Sequence, residues 1–137
     1  MNPVYEGKIV RQRLYIPSRL DDVLFALRLE QDCFATFLSY PVPLLALRHI
    51  DVFLASYESL KKDFDKDDVF ENVRYFCGDT QSVKRYGRHL FFHERSLEHL
   101  SVGNKSPVCL DVIGENLIVI KKEDWQKYVA CRLIDSK

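Results

Sequence analysis

The sequence predicts an α+β fold in which a single domain is built from two imperfect copies of one unit. Three observations carry this. A run of basic residues leads into a short apolar strand twice, at residues 8–16 and again at residues 83–92. Each strand is followed by a short helical stretch, a hairpin and a helix with an aromatic face. The spacing between matching residues is also nearly constant. Arg13 to Arg88 is 75 positions (88 − 13) and Phe53 to Trp125 is 72 (125 − 53), a difference of one three-residue indel. Two copies are too few for a solenoid, so two half-domains about a pseudo-twofold axis are expected.

In the first copy, Leu14–Ile16 forms the apolar tail of a strand behind a basic loop, and Pro17 stops it. Ser18 then stands in position to cap a helix, with Asp21 three residues on, and Leu20, Val23, Leu24 and Leu27 recur at helical spacing. Residues 33–38 (CFATFL) read as a strand, Pro41 and Pro43 as a turn, and residues 44–47 as the returning strand. Ile50, Phe53, Leu54, Tyr57 and Phe64 mark one face of a helix. A charged break at 61–68 precedes a second helix, from about Asp68 to Cys77, which Gly78 ends.

The second copy repeats the order. Arg88, Leu90, Phe91 and Phe92 echo Arg13, Tyr15, Ile16 and Pro17. Residues 95–100 (RSLEHL) form the short helix, Pro107–Ile113 and Leu117–Ile120 the hairpin about Gly114-Glu115-Asn116, and Trp125, Tyr128 and Val129 one face of the last helix. The repeats span about 5–64 and 80–130 of a single domain, 1–137, joined by a helical connector.

Composition places this chain among globular proteins: 47% of its 137 residues are hydrophobic, including 9 Phe and 7 Tyr. A chain of this length buries roughly two-thirds of its unfolded surface, so its core needs no disulfide or metal staple. The formal net charge is zero, but the charges are segregated. Residues 8–19 hold Lys8, Arg11, Arg13 and Arg19 and no acid. Residues 83–95 hold Lys84, Arg85, Arg88 and Arg95 against Glu94 alone. Residues 58–71 carry six acids against three lysines. Cys33, Cys77, Cys109 and Cys131 form no C-x-x-C pair, so zinc and redox motifs are unsupported and buried free thiols are expected. No apolar run approaches the roughly 20 residues of a membrane span, and no signal peptide is recognisable. A cytoplasmic protein is expected.

Arg13-Leu14-Tyr15-Ile16-Pro17, Gly87-Arg88-His89-Leu90-Phe91-Phe92 and the tail GENLIVIKKEDWQKYV (114–129) together resemble the MraZ family of transcriptional regulators, relatives of the AbrB-type swapped-hairpin DNA binders. The likeness covers about residues 5–130. The family carries two copies of Asp-x-x-x-Arg, often ending Gly-Arg, before an apolar triplet and often a proline. This chain keeps the arginines and departs elsewhere. Ile9 and Lys84 stand where the motif has aspartate, Gln12 stands where it has glycine, and Phe92 where it has proline.

The resemblance implies a β-barrel-like double-repeat domain with flanking helices. It also implies a homo-oligomeric ring that binds repeated sites in double-stranded promoter DNA, upstream of a division and cell wall gene cluster, in the nucleoid. Arg13 and Arg88 would make the principal DNA contacts, and Arg11, Lys84, Arg85 and Lys8 would hold phosphates. Loop arginines suit this work, since a guanidinium lies bidentate on guanine or on phosphate oxygens. Lys84 in the aspartate position favours phosphate contact over base readout. An alternative is an oligomeric interaction protein of the same fold that has lost sequence-specific DNA binding. The missing aspartates and the neutral charge favour it.

No catalytic, cofactor, small-molecule or metal site is legible. His89 and His93 fall four apart but next to a strand, with no completing ligand set. The acids at 63–68 lack the glycine and the closing glutamate of a calcium loop. Cys33 has no evident base beside it. An enzyme is not expected.

Overall fold

Inward and outward side chains alternate through both basic segments, and this makes them strands of hairpins rather than loops. The computed structural model describes residues 2–63 and 80–135. The first copy comprises β1 (Tyr5–Val10), β2 (Arg13–Tyr15), α1 (Asp21–Ala26), β3 (Cys33–Leu38), β4 (Leu44–Arg48) and α2 (Ile50–Asp63). The second comprises β5 (Thr80–Tyr86), β6 (His89–Phe92), α3 (Glu94–Leu100), β7 (Pro107–Ile113), β8 (Asn116–Lys121) and α4 (Trp125–Asp135). The helix expected at 68–77, and the acids beyond Asp63, lie outside the described residues.

Among the described residues, eight antiparallel strands close into a barrel in the order β1-β2-β6-β5-β3-β4-β8-β7, with β7 returning to β1. Closure leaves no free sheet edge. The two copies meet four times around it, and at two of these junctions equivalent strands pair with each other. Leu14 pairs with Leu90 where β2 meets β6, and Ala46 pairs with Ile118 where β4 meets β8. Each pair joins equivalent residues, so the pseudo-twofold axis passes through both. The offset is 76 (90 − 14) at the first crossing and 72 (118 − 46) at the second.

This register corrects the alignment of the arginines. Arg88 is equivalent to Gln12, not to Arg13, whose counterpart is His89. The hydrogen bonds repeat accordingly. Phe92 N–H donates to the Gln12 carbonyl at 2.8 Å, and Ile16 N–H donates to the Arg88 carbonyl at 2.7 Å. An arginine within one residue of the same place is enough to mislead a reading by residue type, whereas strand pairing admits no such slip.

The lumen is filled by Ile9, Leu14 and Ile16 of the first hairpin and by Val83, Leu90 and Phe92 of its counterpart. Leu45, Leu47, Val108, Leu110, Leu117 and Val119 meet them from the other strands. Leu24 of α1 and Leu97 and Leu100 of α3 join this cluster. A second core lies outside the barrel. Leu44, Ala46, Cys109, Ile118 and Ile120 point outward from β4, β7 and β8 and are covered by Trp125, Tyr128 and Val129 of α4. Those strands are therefore buried on both faces, which is why their sequences are almost continuously apolar. The buried Asp111 carboxylate ties α4 to the wall: Tyr128 Oη donates to it at 2.7 Å, and Arg132 pairs with it. α2 takes the matching place on β3, where Phe53 stacks on Phe34 with centroids 5.2 Å apart.

Two local expectations are corrected. Ser18 does not cap a helix. It opens a 3₁₀ turn (Ser18–Leu20) whose N-cap is Pro17, and it supplies its carbonyl to Asp21 N–H. The second copy does use a side-chain cap, since His93 accepts Arg95 N–H at 3.1 Å at the start of α3. The apolar stripe on α2 is also narrower than its spacing suggested. Phe53 meets the wall, while Ile50 and Leu54 are exposed. The side chains of Tyr57 and Phe64 lie outside the described residues.

A candidate nucleic-acid interface on the uncovered barrel wall

α2 and α4 cover the outer wall formed by β3, β4, β8 and β7. None of the described helices packs on the outer wall formed by β1, β2, β6 and β5. Strand alternation decides what that wall presents. With Ile9, Leu14, Leu90 and Val83 inside, the outward positions are Lys8 and Val10 on β1, Arg13 and Tyr15 on β2, His89 and Phe91 on β6, and Lys84 and Tyr86 on β5.

Cross-strand register sorts these into two rows. Val10, Arg13, Phe91 and Lys84 lie opposite one another in the first. Tyr15, His89 and Tyr86 form the second. Lys8, on the far side of Tyr15, completes it. The pseudo-twofold axis exchanges the rows: Lys8 with Lys84, Tyr15 with Phe91, Arg13 with His89, and Val10 with Tyr86. The rings touch edge to face, Tyr15 with His89 at 5.6 Å and Tyr86 with Phe91 at 6.3 Å between centroids. Tyr15 is 48% exposed and Tyr86 55% exposed, large values for aromatic residues in the middle of a sheet.

At one edge of this wall, Lys8, Arg11 and Arg13 converge with Val10, Tyr15 and His89 on a cleft of about 250 Å³. Arg11 and Gln12 form the β1–β2 turn with φ of +52° and +63°. Left-handed backbone at two successive non-glycine residues is costly, and the neighbouring loop holds it in place. Asn104 Oδ1 accepts Arg11 N–H at 3.0 Å, and Lys105 N–H donates to the Ile9 carbonyl at 2.6 Å. Among the described residues, the side chains of Lys8, Arg11, Arg13 and Lys84 have no hydrogen-bond or ion-pair partner. Glu6, the one outward acid on β1, is taken by Lys122 at 2.6 Å. The wall is therefore a field of uncompensated positive charge between exposed rings.

The other two expected contacts face elsewhere. Arg88 donates from Nε to the Ile16 carbonyl at 2.9 Å and pairs through Nη2 with Asp21 of α1. It stitches the halves together, as Gln12 does through its Nε2 bond to the Phe92 carbonyl at 3.1 Å. Arg88 is thus a partly covered structural group, not a free loop tip. Asp21 gives it a carboxylate partner although Lys84 occupies the motif's aspartate position. Arg85 shares the inward parity of Val83. Its Nε donates to the Gly87 carbonyl and its N–H to Asp32 Oδ1, both at 2.9 Å. With Arg28, Asp32 and His49 it lines a separate open cleft of about 850 Å³ at the end of the barrel.

Residue type alone does not mark Tyr15, Tyr86 and Phe91 as contacts, and it marks His89 only for a metal or catalytic reading. The signal that marks Tyr15 and Tyr86 is their two-residue spacing from Arg13 and Lys84, and His89 and Phe91 stand two apart on the same face, a pattern legible only once those segments are read as strands. The remaining histidines bond locally. His49 Nδ1 accepts Asp51 N–H at 3.0 Å, and His99 Nε2 lies 2.7 Å from the Leu38 carbonyl with its ring stacked on Phe37. No group of metal-ligating side chains forms among the described residues. Cys33 and Cys109 are buried free thiols. Burial pushes the Cys33 thiol up to about 12, and Asp32 beside it adds to the rise. Among the described residues, no helix is long and apolar enough to cross a membrane. No protein-family model matches the chain, and no curated protein sequence is significantly similar to it.

Proposed function

We propose that the chain is a nucleic-acid-binding protein whose contact surface is the uncovered wall of the barrel. Within that class, we read it as a DNA-binding transcriptional regulator of the MraZ and AbrB type, acting on promoter DNA in the nucleoid. Two supports bear on the type: the doubled hairpin–helix–hairpin–helix unit about a pseudo-twofold axis, and the three sequence segments that carry the family likeness.

One observation carries the reading. The outer wall is covered by helices on one half, while the other half presents Lys8, Arg11, Arg13 and Lys84 with no described acidic partner. Phosphates supply the missing counter-charge. In this reading Arg13 makes the principal contact, Lys8, Arg11 and Lys84 hold the backbone, and Arg85 and Arg88 shape the hairpins that carry them. One copy offers few contacts, so a homo-oligomeric ring on repeated sites would raise affinity through avidity.

A mobility-shift titration with DNA from upstream of the chain's own gene, repeated across salt concentrations, tests this. Expected are a shift for the native protein, affinity that falls steeply with salt, and loss of binding in the Lys8→Gln/Arg13→Gln/Lys84→Gln variant. No shift at low salt sinks the reading. A second reading is an oligomeric interaction protein without sequence-specific DNA binding, and the engagement of Arg88 with Asp21 favours it. It predicts a ring by native mass together with no shift for upstream DNA.

A further inference from the structure

Phosphate binding by a duplex accounts for the cations on the uncovered wall but not for the rings between them. In a duplex the flat faces of the bases are hidden in the stack, so the outward Tyr15, His89, Phe91 and Tyr86 would find no aromatic partner there. Exposed rings in the middle of a sheet are unfavourable in water, yet Tyr15 and Tyr86 are both exposed here. Both copies also place an outward ring at the same position, Tyr15 in the first and the half-buried Phe91 in the second. Docking a second copy face to face would press Arg13 and the two lysines of one wall against those of the other. That contact is repulsive, and Glu6, the outward acid described on β1, is already paired with Lys122. The partner that satisfies both features is polyanionic and offers free ring faces.

We propose that this wall binds nucleic acid with unpaired bases, its aromatic rows stacking on the bases and its flanking cations holding the phosphates. This rests on the nucleic-acid reading above and narrows it to single-stranded or locally opened strands. Dimensions agree. Four strands spaced by about 4.8 Å make a platform about 14 Å wide, and four-stranded sheets with outward aromatics stack two or three bases. Sequence tolerance is expected, since every base has a flat face. The basic cleft of Lys8, Arg11 and Arg13 lies at one edge of the platform and Lys84 at the other, so a strand crossing the wall meets positive charge where it enters and where it leaves.

The test uses the full chain and a fluorescently labelled single strand of about 15 nucleotides, compared with the same strand annealed to its complement at equal salt. Anisotropy is expected to show the single strand bound at least tenfold more tightly. Tyr15→Leu/Tyr86→Leu should weaken single-strand binding at least tenfold and leave duplex binding unchanged. Tyr15→Phe, which keeps the ring, should bind like the native protein. Lys84→Gln should weaken both, and native mass and melting temperature serve as controls for assembly and folding. Equal or tighter duplex binding, with the tyrosine variants silent and the lysine variant weakened, overturns the stacking proposal and leaves the DNA-binding reading standing. No binding to either probe overturns both. A drop in native mass in the tyrosine variants, without preference for the single strand, assigns the wall to a second copy and also overturns it.

Discussion

Arg88 of the second copy and Asp21 of the first form an ion pair across the pseudo-twofold axis, and the same guanidinium donates to the Ile16 carbonyl at 2.9 Å. The equivalent position in the first copy, Gln12, makes the matching bond to the Phe92 carbonyl at 3.1 Å. A side-chain donor at this corner therefore belongs to the fold. The charge, and with it Asp21, belongs to one copy only.

Arg88→Ala should accordingly destabilise the protein by about 1–3 kcal/mol, because it leaves a part-buried carbonyl without its donor. Arg88→Gln should recover much of that loss, since glutamine serves at the equivalent site. Asp21→Asn should cost less than Arg88→Ala, because the pair is substantially exposed. Urea unfolding of the three variants checks the order. An Arg88→Ala variant as stable as the native protein would contradict it.

Arg13 is expected to behave in the opposite way. It is exposed and unpaired within the described residues, so Arg13→Gln should change stability by no more than about 0.5 kcal/mol. It should weaken binding to nucleic acid and reduce the slope of log affinity against log salt by roughly one. Titrations at several salt concentrations, paired with thermal melts, separate the two arginines cleanly.

Gly7 occupies the place that Val83 holds in the second copy, and the Tyr5 ring fills the space. A Cβ at Gly7 would come within 2.7 Å of Tyr5 Cε2 and 2.9 Å of Leu14 Cδ1. Gly7→Val should therefore cost about 1–3 kcal/mol through overpacking. Tyr5 corresponds to Gln81, so Tyr5→Gln/Gly7→Val imports the arrangement of the other copy and should be more stable than Gly7→Val alone. A double-mutant cycle measures the coupling.

Cys33 makes stability fall at alkaline pH. Its thiol ionises near 9 in an unfolded chain and near 12 in the barrel. Between those values the folded state retains a proton that the unfolded state has released, so stability is full below about 9 and declines as pH rises toward about 12. The limiting slope from one such group is about 1.4 kcal/mol per pH unit. Burial likewise raises Tyr128 and Cys109, so some alkaline loss persists in Cys33→Ala, but its slope between about pH 9 and 11 should be shallower than that of the native protein. Equal slopes would refute the assignment to Cys33.

Much of the architecture is legible in the order of residues. The strand at Pro107–Ile113 has the bounds that its apolar run predicts, because a strand buried on both faces has little choice of composition. Trp125, Tyr128 and Val129 face the wall as their helical spacing predicts. The hairpins β1–β2 and β5–β6 were less legible. Their outward positions are basic, and a charged run reads as a loop unless the alternate residues are weighed. Ile9, Leu14, Val83 and Leu90 are those alternates, and each is buried in the lumen.

Sequence alone determined that the chain is doubled, because a duplicated order of strands, turns and helices survives changes of individual residues. It also determined that positive charge gathers at the same point of each copy. Only the tertiary structure decided which charges are available. Register, set by backbone pairing across the barrel, made Arg88 the counterpart of Gln12 and turned it onto Asp21, while Arg13, Lys8 and Lys84 were left facing outward. The reason is physical. Spacing along a strand determines which side chains share a face, but closure of the barrel determines which faces are covered and which cations find a carboxylate.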